Sequence, residues 1–203
     1  MKTIQEKSIE LYAKLAEDSK NITELAGRYQ KDEGVELEIL NDILFKLDFK
    51  KNERVLDIGC GCGILTHLFA EKLFEIGCKI TFFDIPEVIK KLKNEIEINR
   101  EGQKFISGIF PGSDNLSFSE KKYDKICIYS VLHYTDNPES FIDEAVKLLN
   151  FPGKLLIGDI PNINKKGRFL STEFGREFDA KYQGKNVNEI EKPRVFKLFI
   201  ELL

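Results

Sequence analysis

The chain of 203 residues is poor in several residue types, and each shortage excludes a class of site or partner. Tryptophan is absent, and there are only one methionine and two histidines. The four cysteines stand at positions 60, 62, 78 and 127 and form neither a Cys-x-x-Cys pair nor a zinc-binding spacing. We therefore expect small, mostly core cysteines and no metal site.

Two further absences concern partners and location. Lysine and arginine (31) do not outnumber aspartate and glutamate (34), and the net charge of −3 gives no basic footprint for nucleic acid. No apolar run approaches the length of about 18 residues that a membrane span needs. The first ten residues contain no apolar signal core, so we expect a cytoplasmic protein without a nucleic-acid or membrane partner.

What the chain does contain is enough apolar material for one core, with 42% hydrophobic residues and 16 phenylalanines. Thr3 with Glu6, and Asn21 with Glu24, have the spacing of capping boxes that begin helices. Apolar residues along 35–47 follow one face of a further helix. We divide the chain into an N-terminal helical segment, 1–34, and a larger domain, 35–203.

The larger domain alternates strand and helix patterns. Strands are predicted over 54–58, 79–83, 104–107, 124–130 and 154–159. Helices are predicted over 64–75, 86–98 and 138–150, with a turn at 150–153. Near-continuous apolar strands that alternate with helices predict an α/β fold with a doubly wound, mostly parallel sheet. Ligands of such sheets bind at the carboxyl ends of the strands.

The most informative stretch is Asp57-Ile58-Gly59-Cys60-Gly61-Cys62-Gly63, which follows an apolar strand and precedes a helix. Glycines in such a turn bring bare backbone against a ligand. Asp57 lies within the apolar strand, where an unpaired carboxylate is costly, so it needs donors nearby. Asp84 ends the next strand. A nicotinamide-binding Rossmann domain is disfavoured, because its Gly-x-Gly-x-x-Gly fingerprint places the third glycine one position later.

With these motifs the sequence resembles the class I S-adenosylmethionine-dependent methyltransferases. The glycine motif and Asp84 match that family's first two motifs, and the resemblance extends over about 35–160. Ser130-Val131-Leu132-His133 matches its strand-four signature. The sequence Leu148-Leu149-Asn150-Phe151-Pro152-Gly153 matches the turn before strand five with one residue inserted.

The resemblance implies a bound S-adenosylmethionine, released as S-adenosylhomocysteine. It places the methionine part and ribose over the glycines, the ribose hydroxyls on Asp84 and the adenine on Ile85. Asp57 would orient the loop or meet the ammonium group, and Asp84 has an alternative role as a helix cap. The N-terminal helical segment 1–34, which contains Tyr29, resembles a cofactor lid. The implied cofactor-binding set is Asp57, Gly59, Cys60, Gly61, Gly63, Asp84, Ile85, Gly108, Ile109, Ser130 and Tyr29.

One position departs from the family pattern. Many members carry an acid after strand three that binds the adenine amino group, and this chain has Ile109 there. Adenine would then rely on backbone groups, on Asp114 or on water.

His133 and Tyr134 are the candidate catalytic residues, since they follow strand four, where the family places the methyl group and the acceptor. An imidazole titrates near neutral pH and suits a general base; the alternative is that His133 only packs or caps a helix. Asp159 ends strand five and is a second-tier candidate. His67 is interpreted as a surface or packing residue. The basic stretch 162–168 is interpreted as a solvated loop, with a contact to an anionic acceptor as the less favoured alternative.

The acceptor is expected to be a small molecule or glycan precursor with an oxygen or nitrogen nucleophile, because the Asn/Asp-Pro-Pro-Tyr/Phe signature of many nucleobase methyltransferases is absent. The alternatives are a cofactor-binding protein without activity and, less favoured, an RNA methyltransferase. Residues 192–203 carry a helical apolar stripe where relatives have a strand hairpin. A truncated hairpin is one explanation, and a homodimer through the edge of strand five is another.

Overall fold

A computed structural model describes residues 2–18, 34–95, 101–112 and 122–190. Five parallel strands form one sheet in the order β3-β2-β1-β4-β5. Their bounds are β1 Arg54–Ile58, β2 Lys79–Asp84, β3 Gln103–Ser107, β4 Tyr123–Tyr129 and β5 Leu149–Gly158. The predicted parallel sheet is confirmed, and the strand order reverses between β1 and β4.

Seven helices occur in the described part of the chain, with single 3₁₀ turns at Leu132–Tyr134 and Val187–Glu189. Their bounds are α1 Ile4–Asp18, α2 Val35–Leu47, α3 Ile64–Ile76, α4 Pro86–Glu95, α5 Pro138–Lys147, α6 Ile163–Ser171 and α7 Glu173–Gln183. None is long and apolar enough to cross a bilayer within the described residues.

The two faces of the sheet bury separate sets of side chains. On β1, Val55 belongs to a core that also contains residues of α2 and α3, whereas Leu56 and Ile58 belong to a second core with Phe141 of α5. Alternating strand residues point to opposite faces, so helices cover both sides of the sheet. This is the doubly wound arrangement that the sequence predicts.

Local end signals behave as expected. Thr3 and Glu6 form a reciprocal capping box, in which each backbone amide donates to the other's side chain (2.9 and 3.2 Å). Gly77 ends α3 in the left-handed conformation (φ +86°). The four cysteines are free thiols; Cys60 is half-buried and the other three are buried, as predicted.

The prediction around residue 150 is wrong in one respect. α5 ends at Lys147, and β5 already begins at Leu149, so the predicted turn at 150–153 lies inside a strand. Tyr123 pairs with Leu149, whereas Lys125 pairs with Lys154. The four residues between Leu149 and Lys154 therefore bulge from the ladder, and a proline without an N–H is tolerated in such a bulge.

The solvated loop predicted at 162–168 is also wrong. Asn162 accepts a hydrogen bond from the Lys165 amide (2.9 Å) and begins α6. Asparagine is common in loops and at helix N-caps alike, so its presence alone does not separate the two.

The chain divides into two compact units, and the boundary along the sequence lies between Asp159 and Ile160. The first contains the sheet and α1 to α5. The second contains α6 and α7, around a small core of Leu170, Ala180 and Ile190. Tyr29, Asp114, the predicted cap at 21–24 and the stripe at 192–203 lie outside the described residues. The predicted boundary at residue 34 stays a prediction.

Candidate active site

A cavity of about 200 Å³ opens at the carboxyl edge of the sheet, at the point where the strand order reverses. This is the position at which open parallel sheets bind their ligands. Ten of the residues predicted from the sequence line it: Gly59, Cys60, Gly61, Gly63, Asp84, Ile85, Gly108, Ile109, Ser130 and Tyr134. Residues far apart in the chain are thus brought together around one space.

The glycine loop after β1 forms the floor of this cavity. Gly59 and Gly61 both have left-handed backbones (φ +72° and +65°). The amides of Gly59 and Cys60 donate to the Phe83 carbonyl (2.8 and 3.2 Å), which fastens the loop to the end of β2. A Cβ on Gly59 would lie 2.3 Å from Val131 Cγ2. Glycine is therefore required here both by the backbone angle and by packing.

Asp84 connects β2 to that loop. Its Oδ2 accepts the Gly61 amide and its Oδ1 accepts the Ile85 amide, both at 2.7 Å. Burial raises the pKa of Asp84 to about 6, against the lowering effect of these two amides. Each carboxylate oxygen can accept two hydrogen bonds, so both oxygens keep capacity for a ligand.

Asp57 lies beside the main cavity, in a smaller one of about 30 Å³ that it shares with Thr66, Cys127 and Tyr129. Its side chain is buried on β1. Burial, and secondarily the negative charge of Asp84, raise the pKa of Asp57 to about 7. A space of that size holds a water molecule that can bridge buried polar groups.

Asp57 and Asp84 place two carboxyl groups at the floor of the site without a positively charged side chain among the described residues to balance them. Within the described residues neither carboxylate forms an ion pair with a lysine or arginine. A buried acid and a half-buried one that repel each other and lack a cation favour a positively charged ligand.

The ends of β4 and β5 carry a second pair of polar residues. The Ser130 hydroxyl donates to Asp159 Oδ2 at 2.6 Å. Both residues have left-handed backbones (φ +61° and +53°), which are uncommon for residues other than glycine. Ser130 lines the cavity, and Asp159 lies exposed at the rim.

The two candidate catalytic residues follow β4 in the 3₁₀ turn, with their rings 3.9 Å apart between centroids. Tyr134 lines the cavity, whereas His133 is half-buried and is not among the described lining residues. Burial lowers the pKa of His133, and the charge of Asp159 opposes this effect. The His133 Nδ1 atom is buried and has no hydrogen-bond partner in the part of the chain described.

Helix α1, in the segment predicted to be a lid, contributes a cavity wall whose individual residues were not predicted. Its lining residues are Gln5, Ser8, Ile9, Tyr12 and Ala16. The Tyr12 and Tyr134 hydroxyls are 2.9 Å apart. Burial and the bond to Tyr134 raise the pKa of Tyr12 well above its ordinary value. The signal was present in the spacing 5, 8, 9, 12, 16, which follows one helix face.

Asp136 fixes the start of α1. Its Oδ1 accepts the amides of Ile4 and Gln5 (3.0 and 3.3 Å). A hydrogen bond from the Thr3 side chain, aided by these two amides, lowers the pKa of Asp136. A carboxylate at a helix N-terminus also interacts favourably with the helix dipole.

The remaining predicted residues fall in three places. Ile109 lines the cavity and is about half exposed (48%). Because its side chain is a hydrocarbon, it offers a ligand no hydrogen-bond acceptor there. His67 lies on α3, where its Nδ1 is 2.9 Å from the Gly63 carbonyl, and it does not line the described cavity. Tyr29 and Asp114 lie outside the described residues.

A family profile for methyltransferase domains matches residues 49–192, more than half of the chain. This chain belongs to that methyltransferase family. The prediction of a class I, S-adenosylmethionine-dependent methyltransferase with a Rossmann-like fold is confirmed. The matched residues include β1 to β5 and thus the whole carboxyl edge described above.

Individual relatives are distant. A ubiquinone biosynthesis O-methyltransferase from Pelagibacter ubique is 24% identical, over 95% of this chain and 79% of that protein. A protein-L-isoaspartate O-methyltransferase from Methanococcus aeolicus is 31% identical, over 69% of this chain and 64% of that protein. The crystal structure of coclaurine N-methyltransferase superposes with a TM-score of 0.53 at 16% identity, over 75% of this chain and 50% of that one. This last similarity shows the fold alone.

The residues present fit a sulfonium nucleoside. The loop at Gly59 leaves a cradle that a Cβ would fill, and Asp84 keeps lone pairs for a vicinal diol. Asp84 in the main cavity and Asp57 in the smaller one beside it provide carboxyl groups that suit a ligand with an ammonium group.

Proposed function

We propose that this methyltransferase transfers the methyl group to an oxygen nucleophile of a small molecule. The proposal depends on one observation. The glycine loop and Asp84 lie in the same cavity, where the strand order reverses, and the Gly61 amide donates a 2.7 Å hydrogen bond to Asp84. Two relatives are O-methyltransferases, and this supports an oxygen acceptor over a nitrogen acceptor.

In this proposal seven of the predicted residues hold the cofactor, which when bound supplies an electrophilic methyl group on sulfur. Asp84 accepts the two ribose hydroxyls, and Asp57 attracts the ammonium group, directly or through water. The loop residues Gly59 and Gly61 admit the ligand close to the backbone. Ile85 packs on the adenine, with Gly108 and Ile109 beside it. The N-terminal segment, by way of α1 and Tyr12, excludes water.

The chain's own contribution to the chemistry is alignment and proton acceptance. His133 takes the proton of the acceptor hydroxyl, and Tyr134 at the cavity wall orients the acceptor. The cofactor, held by Asp84, Asp57 and the glycine loop, would supply the methyl group, and the proton of the acceptor hydroxyl would end on His133.

Calorimetry with S-adenosylmethionine and S-adenosylhomocysteine tests the binding half of the proposal. Wild-type protein should bind both, and Asp84→Ala should weaken binding roughly 100-fold, since two charge-assisted hydrogen bonds and the loop anchor are lost. Asp143→Ala, an exposed acid on α5, is the matched control and should bind as wild type does. Absence of binding by folded wild-type protein would refute the proposal.

The transfer half is tested by a screen of hydroxyl and amine acceptors that measures homocysteine release. Methylated hydroxyl products support the proposal. Binding without any methylated product would favour the alternative, a cofactor-binding protein without activity. That alternative draws on Ile109, which replaces the acid expected at the adenine.

A further inference from the structure

The cavity extends past the proposed cofactor contacts, toward the turn that follows β4. The strand order places β2 on one side of β1 and β4 on the other. Asp84 and Ile85, which the proposed function assigns to the ribose and the adenine, lie on the β2 side. Tyr134 and Thr135 line the same cavity from the β4 side. The β4 side is therefore available to the methyl acceptor.

Helix α1 adds Tyr12 to this side of the cavity. The Tyr12 and Tyr134 hydroxyls are 2.9 Å apart, and their rings pack edge to face with 5.4 Å between centroids. Asp136, just after the turn, accepts the amides of Ile4 and Gln5 at the start of α1 (3.0 and 3.3 Å). The segment after β4 thus holds α1 at two points, and the two hydroxyls have a defined position.

The hydroxyl pair keeps hydrogen-bonding capacity for a ligand. One hydroxyl donates to the other, so one O–H and lone pairs on both oxygens remain. Within the described residues neither hydroxyl forms a further hydrogen bond. Burial and the bond to Tyr134 raise the pKa of Tyr12, so its hydroxyl keeps its proton at neutral pH. The pair therefore offers neutral polar groups.

The charge of the lining residues restricts the ligand. Among the described residues that line the cavity, Asp84 is the only charged side chain. A carboxylate or phosphate on the acceptor would add a second negative charge without a cation from these lining residues, and burial of an unpaired charge is costly. Phe110 and Phe141 also line the cavity and pack edge to face, with 4.8 Å between ring centroids. These walls suit an uncharged molecule with an apolar body.

We propose that the Tyr12–Tyr134 hydroxyl pair binds and orients the methyl acceptor, and that this acceptor is an uncharged hydroxyl compound with an apolar body. The inference rests on the proposed function, methyl transfer to an oxygen of a small molecule. The remaining O–H of the pair donates to an oxygen of the acceptor, and the phenylalanine rings contact its apolar part. Tyr12 is thus a specificity residue that α1 brings to the site.

Three small probes test the inference in protein saturated with S-adenosylhomocysteine. Methyl para-hydroxybenzoate is uncharged and has a hydroxyl, para-hydroxybenzoate adds a negative charge, and methyl benzoate lacks the hydroxyl. Ligand-observed NMR titration measures their affinities. For wild type, the hydroxyl ester should bind at least about tenfold more tightly than the acid and about fivefold more tightly than methyl benzoate.

Two variants separate a binding role of the pair from its role in holding α1. The double variant Tyr12→Phe/Tyr134→Phe removes both hydroxyls, so it should bind the hydroxyl ester and methyl benzoate equally. Asp136→Asn loosens the start of α1 but leaves both hydroxyls, and Asp136 is not among the described lining residues. It should keep the wild-type ratio, since looser docking of α1 affects both esters alike.

The inference is overturned if wild type binds the acid as tightly as the hydroxyl ester, if it binds no ester, or if the double variant keeps the wild-type ratio. Calorimetry on the same samples distinguishes this failure from that of the proposed function. If wild type binds S-adenosylhomocysteine and the probes behave in one of these ways, only the inference falls. If folded wild type binds no S-adenosylhomocysteine, the proposed function fails and the inference with it.

Discussion

At the amino edge of the sheet, two acidic side chains have hydrogen-bond donors or a paired cation. Asp124 accepts the Arg54 amide and the Asn150 side-chain amide, both at 2.8 Å, and Glu53 pairs with Lys125 at 3.3 Å. At the carboxyl edge, Asp84 has backbone donors alone, and Asp57 is buried in a small cavity. The acidic side chains at the amino end of the sheet thus have side-chain partners, whereas the negative charge of those at the carboxyl end is not balanced by a cation in the described residues.

The pKa directions follow this division. Burial alone would raise the pKa of Asp124, but its hydrogen bonds to Arg54 and Asn150 hold that pKa below the ordinary value. Burial without a cation raises the pKa of Asp57 to about 7 and that of Asp84 to about 6. The amino edge is therefore built for stability, and the carboxyl edge keeps electrostatic strain that a cationic ligand relieves.

The largest expected difference between the edges concerns two left-handed glycines. Gly59→Ala should destabilise the protein by roughly 3 kcal/mol, since it combines a left-handed alanine with a clash against Val131. Gly77→Ala, at the amino edge, meets only the exposed Lys51 side chain, which can turn away, so about 1 kcal/mol is expected. Urea unfolding measures both; equal costs would contradict the packing argument.

A second pair of variants should shift stability in opposite directions. The folded pKa of Asp57 is raised, so its contribution to stability is present below pH 4 and is lost as pH rises through about 7. Asp57→Asn should then stabilise the free protein at pH 8 by roughly 1–3 kcal/mol, and by little near pH 4.

Asp124 is the matched control for that prediction. Its folded pKa is lowered, so its contribution is present at neutral pH and is lost on acidification. Asp124→Asn should cost under about 1 kcal/mol at pH 8, because the side chain is only half-buried and water can replace part of the lost hydrogen bonding. Chemical denaturation at pH 8 and pH 4 gives both values. A loss of stability in Asp57→Asn at pH 8 would contradict the account.

The smallest expected effect concerns the wall that α1 adds to the carboxyl edge. Tyr12→Phe removes the 2.9 Å bond to Tyr134 and should weaken docking of α1 by about 1 kcal/mol. Hydrogen exchange over 4–18 should accelerate about fivefold, with the rest of the described unit unchanged. Tyr134→Phe should have the same effect, and the double variant no more, because one bond is lost in each.

Sequence reasoning succeeded where the signal was local. The glycine loop, Asp84 and the Gly77 cap are each encoded by residue type and spacing within a few positions, and the structure has them within a residue of the predicted elements. The parallel sheet followed because continuous apolar strands admit few alternatives.

Sequence reasoning failed where contacts between distant segments of the chain determine the local structure. The bulge in β5 involves pairing with β4, and Tyr12 of the cavity wall contacts Tyr134, 122 positions away. Ser130 and Asp159, which have left-handed backbones, are also far apart in the chain, and their side chains form a hydrogen bond. Spacing within a few positions does not predict such contacts.

The most direct test of the account is the calorimetric affinity of the wild-type protein for S-adenosylhomocysteine, which carries the ammonium group and the ribose diol assigned to Asp57 and Asp84, at pH 8 and pH 6. Asp57 and Asp84 gain protons across this range, so the account predicts that the affinity falls by about threefold or more at pH 6. An affinity that is unchanged, or that increases on acidification, would contradict the claim that these two acids hold the cofactor.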